Sequence, residues 1–163
     1  LGLILRLWNL DSPKGKIFDE IYYATNAQSL LQNGVEIDSK SGLAQFVVHP
    51  PTGKWLMAIG IKLFGYNEFG WRSAAAIVGS ISIVLMYFTA KKLFNNQLLS
   101  VFSAALISMD GLHLVHSRIA LLDIFLLFFI QIAVLTFLQK KYWFTAIALG
   151  LLAAPAPAPA PEN

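Results

Sequence analysis

Asp19 and Glu20 stand side by side in "IFDEIYYA", and the other groups able to do chemistry are scattered far from them: Arg6, His49 and Lys54 in "HPPTGKW", Arg72, and Arg118 with Asp123 in "HSRIALLD". A carboxylate can take a proton from an acceptor hydroxyl, while guanidinium and ammonium groups can receive a phosphate. Brought together, these residue types suit chemistry on an anionic group. Each also has a plainer reading. Asp19 can be a helix N-cap, which would lower its pKa, weaken it as a base and leave Glu20 as the rival for the proton. Glu20 can be a first-turn acid, His49 a turn residue before two prolines, Lys54 a snorkelling cation and Arg72 an interfacial anchor. Arg118 and Asp123, five residues and about 7.5 Å apart along a helix, can satisfy each other. Asp110, in an apolar run near His113, reads as half of a packed polar contact, because an ionisable group at membrane depth needs a partner.

The elements that must position these groups are set by composition. The chain of 163 residues is 56% hydrophobic and 13% charged, against about 45–50% and about 25% in soluble domains. It reads as an integral membrane protein. The absence of cysteine excludes a disulfide framework and a thiolate zinc site, and a net charge of +3 with no basic run gives no reason to expect a nucleic-acid partner. Residues 1–10 are too short to span a bilayer, which takes about 20 apolar residues, and carry none of the features of a signal peptide, so they are expected to be the end of a truncated first span. Residues 11–71 form a long mixed segment. An uncharged run at 73–90 is the cleanest span, followed by spans near 97–117 and 119–139 with a fold-back at His116, Ser117 and Arg118, and by the start of another from 143 to 154. The Ala-Pro tail at 155–163 cannot continue a helix and reads as a linker or appended tail.

Lysine pairs at 91–92 and 140–141 punctuate the spans and lie on one side by parity; the positive-inside rule makes that side cytoplasmic. The 11–71 loop and the Arg118 break then share the extracytoplasmic face. Within the loop a helix is expected from Glu20 to about Asn33, stopped by Gly34, with Tyr23, Ala27, Leu30 and Leu31 on one side. A second begins near Thr52, with Trp55, Ile59 and Leu63 as its apolar stripe and Lys54 and Lys62 polar. Both read as interfacial amphipathic helices.

"FDEIYYA", "HPPTGKWLMAIGIKLFGYNEFGWR" and "DGLHLVHSRIALLDIFLLFF", in this order and flanked by these spans, resemble the N-terminal third of protein O-mannosyltransferases and their prokaryotic relatives, the phospholipid-carrier-dependent glycosyltransferases of the GT-C fold. The resemblance covers residues 1 to about 154. It implies an all-α, multi-pass helical bundle in a prokaryotic plasma membrane. It also implies transfer of a hexose, typically mannose, from a polyprenyl- or dolichyl-phosphate donor to a Ser or Thr hydroxyl with inversion; a protein, a lipid or another glycan would each fit as acceptor. On the same ground Asp19 is the general base, with Glu20 orienting groups or binding sugar or acceptor. Arg6 and Arg72 are candidates for the donor phosphate or for holding the acidic pair, while His49, Lys54, Arg118 and Asp123 shape the donor pocket. No cofactor is required; a divalent cation, if one binds, would be tested at Asp19 and Asp123. The alternative is a non-catalytic membrane assembly subunit or truncated homologue using the same bundle; a stoichiometric partner on purification would favour the subunit. A transporter, suggested by Asp110, finds no broken-helix pair in the sequence.

Overall fold

A computed structural model describes residues 2–37, 43 and 49–153, and among them the regular structure is helical: α1 Gly2–Leu7, α2 Glu20–Asn33, α3 Thr52–Phe64, α4 Glu68–Phe94, α5 Gln97–Met109, α6 Gly111–His116, α7 Asp123–Leu138 and α8 Tyr142–Leu152. The Ala-Pro tail lies outside the described residues. At its 27 residues α4 is about 40 Å long, and among the described helices it is the one long and apolar enough to cross a bilayer; α5, α7 and α8 are shorter apolar helices.

The helix boundaries follow from local chemistry. At the end of α2, Gly34 adopts φ 75°, the left-handed conformation that costs glycine nothing, and its N–H closes the last turn on the Leu30 carbonyl. Pro50 and Pro51 hold the chain out of a helix until α3 begins at Thr52. Asn67 caps α4 by accepting from the Gly70 N–H, and Asn96 caps α5 by accepting from Leu98 and Leu99. The expected 97–117 span is broken at Asp110, whose side chain accepts from the His113 N–H at 2.7 Å and starts α6 on a new axis. Asp110 is therefore a cap within the run, and His113 meets it through its backbone. The next helix begins at Asp123, four residues later than expected, because 117–122 form turns.

The helix α4 is central, packing against α1, α3, α5 and α7, while α2 packs on α3 and α8 on α7. The core joins Ala24 and Ala27 of α2, Met57, Ala58 and Ile61 of α3, Trp71, Ala75 and Val78 of α4, and Ala120, Ile124 and Phe125 at the start of α7. Small residues set the spacing. A Cβ at Gly60 would lie 2.5 Å from both the Gly70 carbonyl oxygen and the Ser73 hydroxyl, so α3 crosses α4 at a distance only glycine permits. The stripe Trp55, Ile59 and Leu63 on α3 is exposed, as a helix lying against a membrane requires. Two expectations fail here: Leu31 is exposed, leaving Ala24, Ala27, Ser29 and Leu30 as the buried face of α2, and Lys54 is buried rather than polar and free.

Candidate active site

The C-terminus of α1, the N-termini of α2, α3, α4 and α7 and the C-terminus of α8 converge at one end of the molecule. Glu20 and Arg72, each wholly buried, sit at their meeting point. Arg72 Nε donates to Glu20 Oε1 and Arg72 Nη2 to Glu20 Oε2, both at 2.8 Å, the bidentate fork that planar guanidinium and carboxylate groups permit. The other Arg72 donors reach the carbonyls of Leu10 (3.2 Å), Pro13 (2.9 Å) and Gly15 (3.0 Å). The carboxylate is filled from its other side: Oε1 accepts from the Ala120 N–H at 2.8 Å and Oε2 from the Ile17 N–H at 3.0 Å. With two hydrogen bonds on each oxygen, Glu20 has no lone pair to spare. Of the two readings open for Arg72, the geometry provides the second: it holds the acidic segment, and its guanidinium has no donor left for a phosphate.

Asp19 is different. It occupies the N-cap position of α2, but its backbone is helical and its side chain makes no cap hydrogen bond. The carboxylate is half-buried without a polar partner among the described residues. Phe18, just before it, has φ 52°, a left-handed conformation that a bulky residue seldom adopts, and its ring is exposed. One helical turn on, Tyr23 presents its ring edge to the imidazole of His49, with centroids 5.6 Å apart. The Tyr23 phenol has its pKa raised by burial first, and then by the carboxylates of Asp19 and Asp123.

A cavity of about 190 Å³ opens beside this group, with Tyr23, His49, Thr52 and Asp123 as its polar wall and Leu122, Phe125, Leu126 and Phe129 of α7 among its apolar ones. The end of α8 closes it, where the Leu151 carbonyl accepts from Thr52 Oγ1 at 2.6 Å. Asp123 also borders a second cavity of about 330 Å³ with Asp110, His113 and His116. Its carboxylate is exposed and stands 3.8 Å from His116 Nδ1. The expected Arg118–Asp123 pair does not form, because the chain between them is not helical. Arg118 instead caps α1, donating to the carbonyls of Leu5 (2.6 Å) and Asn9 (3.2 Å).

Arg6 lies away from the acidic pair, buried within the helices. Its Nη1 donates to the Gly2 carbonyl and its Nη2 to His113 Nδ1 at 2.8 Å. A guanidinium only donates, so Nδ1 is the acceptor and the His113 proton sits on Nε2, which reaches Ser82 Oγ at 3.2 Å. Ser82 in turn donates to Gln131 Oε1 at 2.6 Å. This polar chain ties α1, α6, α4 and α7 together, and Arg6 Nε and Gln131 Nε2 end it without partners among the described residues. Lys54, expected in the donor pocket, instead gives its ammonium to both oxygens of Glu36 at 2.8 Å, with each side chain 2% exposed. Nothing in the spacing of Glu36 flagged it. Tyr23 and His116 were also missed as site residues, since each faces the site only through tertiary folding. Among the described residues no set of three or more His, Cys, Asp or Glu side chains could hold a metal ion.

The family model described as dolichyl-phosphate-mannose-protein mannosyltransferase matches residues 1–155. A polyprenol-phosphate-mannose–protein mannosyltransferase of Mycolicibacterium smegmatis is 45% identical over 133 residues, covering 79% of this chain and 25% of that protein. A protein of the same name from Mycobacterium tuberculosis is 42% identical over 130 residues, covering 79% and 24%. Protein O-mannosyl-transferase 1 of Danio rerio is 30% identical over 178 residues, covering 94% and 24%. The chain thus spans about a quarter of the length of these relatives. No solved structure matches it.

Proposed function

Because the chain belongs to the dolichyl-phosphate-mannose-protein mannosyltransferase family, we propose that it carries the catalytic acid pair of an enzyme moving mannose from a polyprenyl phosphate to a Ser or Thr hydroxyl of a protein. The observation that carries this reading is the contrast between two adjacent carboxylates: Glu20 is saturated and buried, whereas Asp19 is half-buried and has no polar partner among the described residues. Asp19 accepts the proton of the acceptor hydroxyl. The hydroxyl oxygen attacks the anomeric carbon from the face opposite the phosphate, the carbon–oxygen bond to the phosphate breaks, and the lipid phosphate leaves with the electron pair, giving inversion. Glu20 and Arg72 fix the backbone from which Asp19 projects. His49 and Asp123 line the cavity that receives the sugar or its carrier, and the phosphate falls to Arg118, whose half-exposed guanidinium keeps donors beyond those it gives to the Leu5 and Asn9 carbonyls. Arg6 supports the helices through His113. A divalent cation, if one takes part, would be held by Asp19 and Asp123, the two carboxylates that act on Tyr23.

In this reading the fold is a multi-pass, GT-C-like bundle in which α4, the α5–α6 pair, α7 and α8 cross the membrane, with α2 and α3 at the interface and the site on the extracytoplasmic face of a prokaryotic plasma membrane. The test uses the full-length protein, a radiolabelled polyprenyl-phosphate-mannose and a Ser/Thr peptide. Asp19→Asn is expected to lower turnover by about 10²–10⁴, the range of a lost general base, at unchanged expression. Unchanged turnover would remove Asp19 from the mechanism, and an inactive wild-type protein purifying with a stoichiometric partner would favour the assembly subunit.

A further inference from the structure

We infer that Glu36 is a positioning residue for the proposed transfer: it takes the Lys54 ammonium out of reach of the substrate and uses it to hold the first turn of α3 against α2. The inference rests on the mannosyltransferase reading for its kinetic arm. Glu36 follows the α2 stop at Gly34, and the intervening turn is fixed from the helix: Ser29 Oγ donates to the Val35 carbonyl and accepts from the Ile37 N–H, both at 2.9 Å. Asn26, on α2, donates to Glu36 Oε2 at 2.7 Å. The carboxylate so placed receives Lys54 on both oxygens, and both partners are closed off from solvent. Burying two charges is costly unless the geometry is good and the remaining lone pairs are filled, and here Asn26 fills one of them.

The turn of α3 that Lys54 anchors is part of the cavity wall. Thr52 and Gly53 line it, His49 precedes it, and Tyr23 faces it from α2, one helical turn before Asn26; Lys54 itself does not line it. A Cβ at Gly53 would lie 2.7 Å from the Leu122 side chain and 3.1 Å from that of Phe125. The first turn of α3 is therefore pressed onto Leu122 and Phe125 and joined by an ion pair to the turn that follows α2, in addition to the core packing of α2 on α3. Releasing the pair frees the wall on which His49 and Thr52 are mounted without removing any group that touches the sugar or phosphate.

A double-mutant cycle in the full-length enzyme separates this role from direct contact between Lys54 and the donor. Glu36→Gln and Lys54→Met each leave one buried group unmatched and are expected to lower kcat/KM by roughly tenfold or more, with KM for the lipid donor rising. The pair Glu36→Gln with Lys54→Met removes both charges and is expected to return to within about threefold of wild type. If Lys54 binds donor phosphate, the double variant stays as impaired as Lys54→Met and Glu36→Gln is harmless, which overturns the inference. Hydrogen–deuterium exchange gives a readout independent of turnover. Residues 49–57 should lose protection in Glu36→Gln and regain it in the double variant while α4 stays protected; unchanged protection in Glu36→Gln would also overturn it. A wild-type protein without transferase activity would sink the mannosyltransferase reading alone, because the exchange arm still decides whether Glu36 holds the wall.

Discussion

Asp19 and Glu20 are chemically near-identical neighbours in opposite environments, the one half-buried without a polar partner among the described residues and the other buried and fully hydrogen-bonded. An adjacent acid pair after an apolar segment is visible in the sequence, and so is its suitability for proton transfer. Which acid is free is not visible, because the groups that saturate Glu20 come from positions 17, 72 and 120. Lys54 shows the same blindness in reverse: a lysine near an interface normally keeps its head in water, and only the buried Glu36 overrides that. Tyr23 reports on the free acid. Its phenol titrates above the ordinary value of about 10 because burial and two carboxylates oppose the phenolate. A pKa raised by folding gives stability that is complete below the unfolded value and is lost as pH rises through the folded one, so the protein should weaken above about pH 10. Asp19→Asn and Asp123→Asn are each expected to lower the Tyr23 pKa, followed by NMR of ring-labelled tyrosine with Tyr23→Phe for assignment. A Tyr23 titration unmoved by Asp19→Asn would mean that the carboxylate is not beside the phenol.

At the scale of elements, the sequence marks starts and stops better than it marks breaks. The run from Glu20 to Gly34 and the start at Thr52 carry their punctuation in glycine and proline, and both helices have those boundaries. The α5–α6 break was hidden because Asp110 in an apolar run looks like a buried contact, when its side chain is spent on starting a new helix. Helix crossings leave fainter traces still. Gly60 is one glycine in an unremarkable helix, yet the α3–α4 distance depends on its missing Cβ. Gly60→Ala must push α4 backbone aside and is expected to cost about 1–3 kcal/mol, as overpacking does, with a lower thermal midpoint for the full-length protein in detergent. An unchanged midpoint would show that the two helices part without strain.

For the whole molecule, the proposed topology would put residues from distant parts of the chain at one membrane face; in the structure Tyr23, His49, Thr52 and Asp123 line one cavity, while Lys91 and Lys92 lie in the last turn of α4. That convergence supports the proposed topology. The chain contains no native cysteine, so single cysteines at the exposed Ser12 and Asn96 can be labelled cleanly with a membrane-impermeant reagent. Ser12 is expected to react from outside and Asn96 only after permeabilisation; same-side labelling would overturn the topology.

The Ala120 N–H that completes Glu20 lies a hundred residues downstream of it. During synthesis the acid emerges long before that donor, so the nascent protein carries an under-bonded carboxylate beside Arg72 until the turn ahead of α7 arrives. The order of the chain thus keeps Glu20 one donor short until the turn ahead of α7 has been made, so a chain halted before residue 120 carries this acid incompletely satisfied.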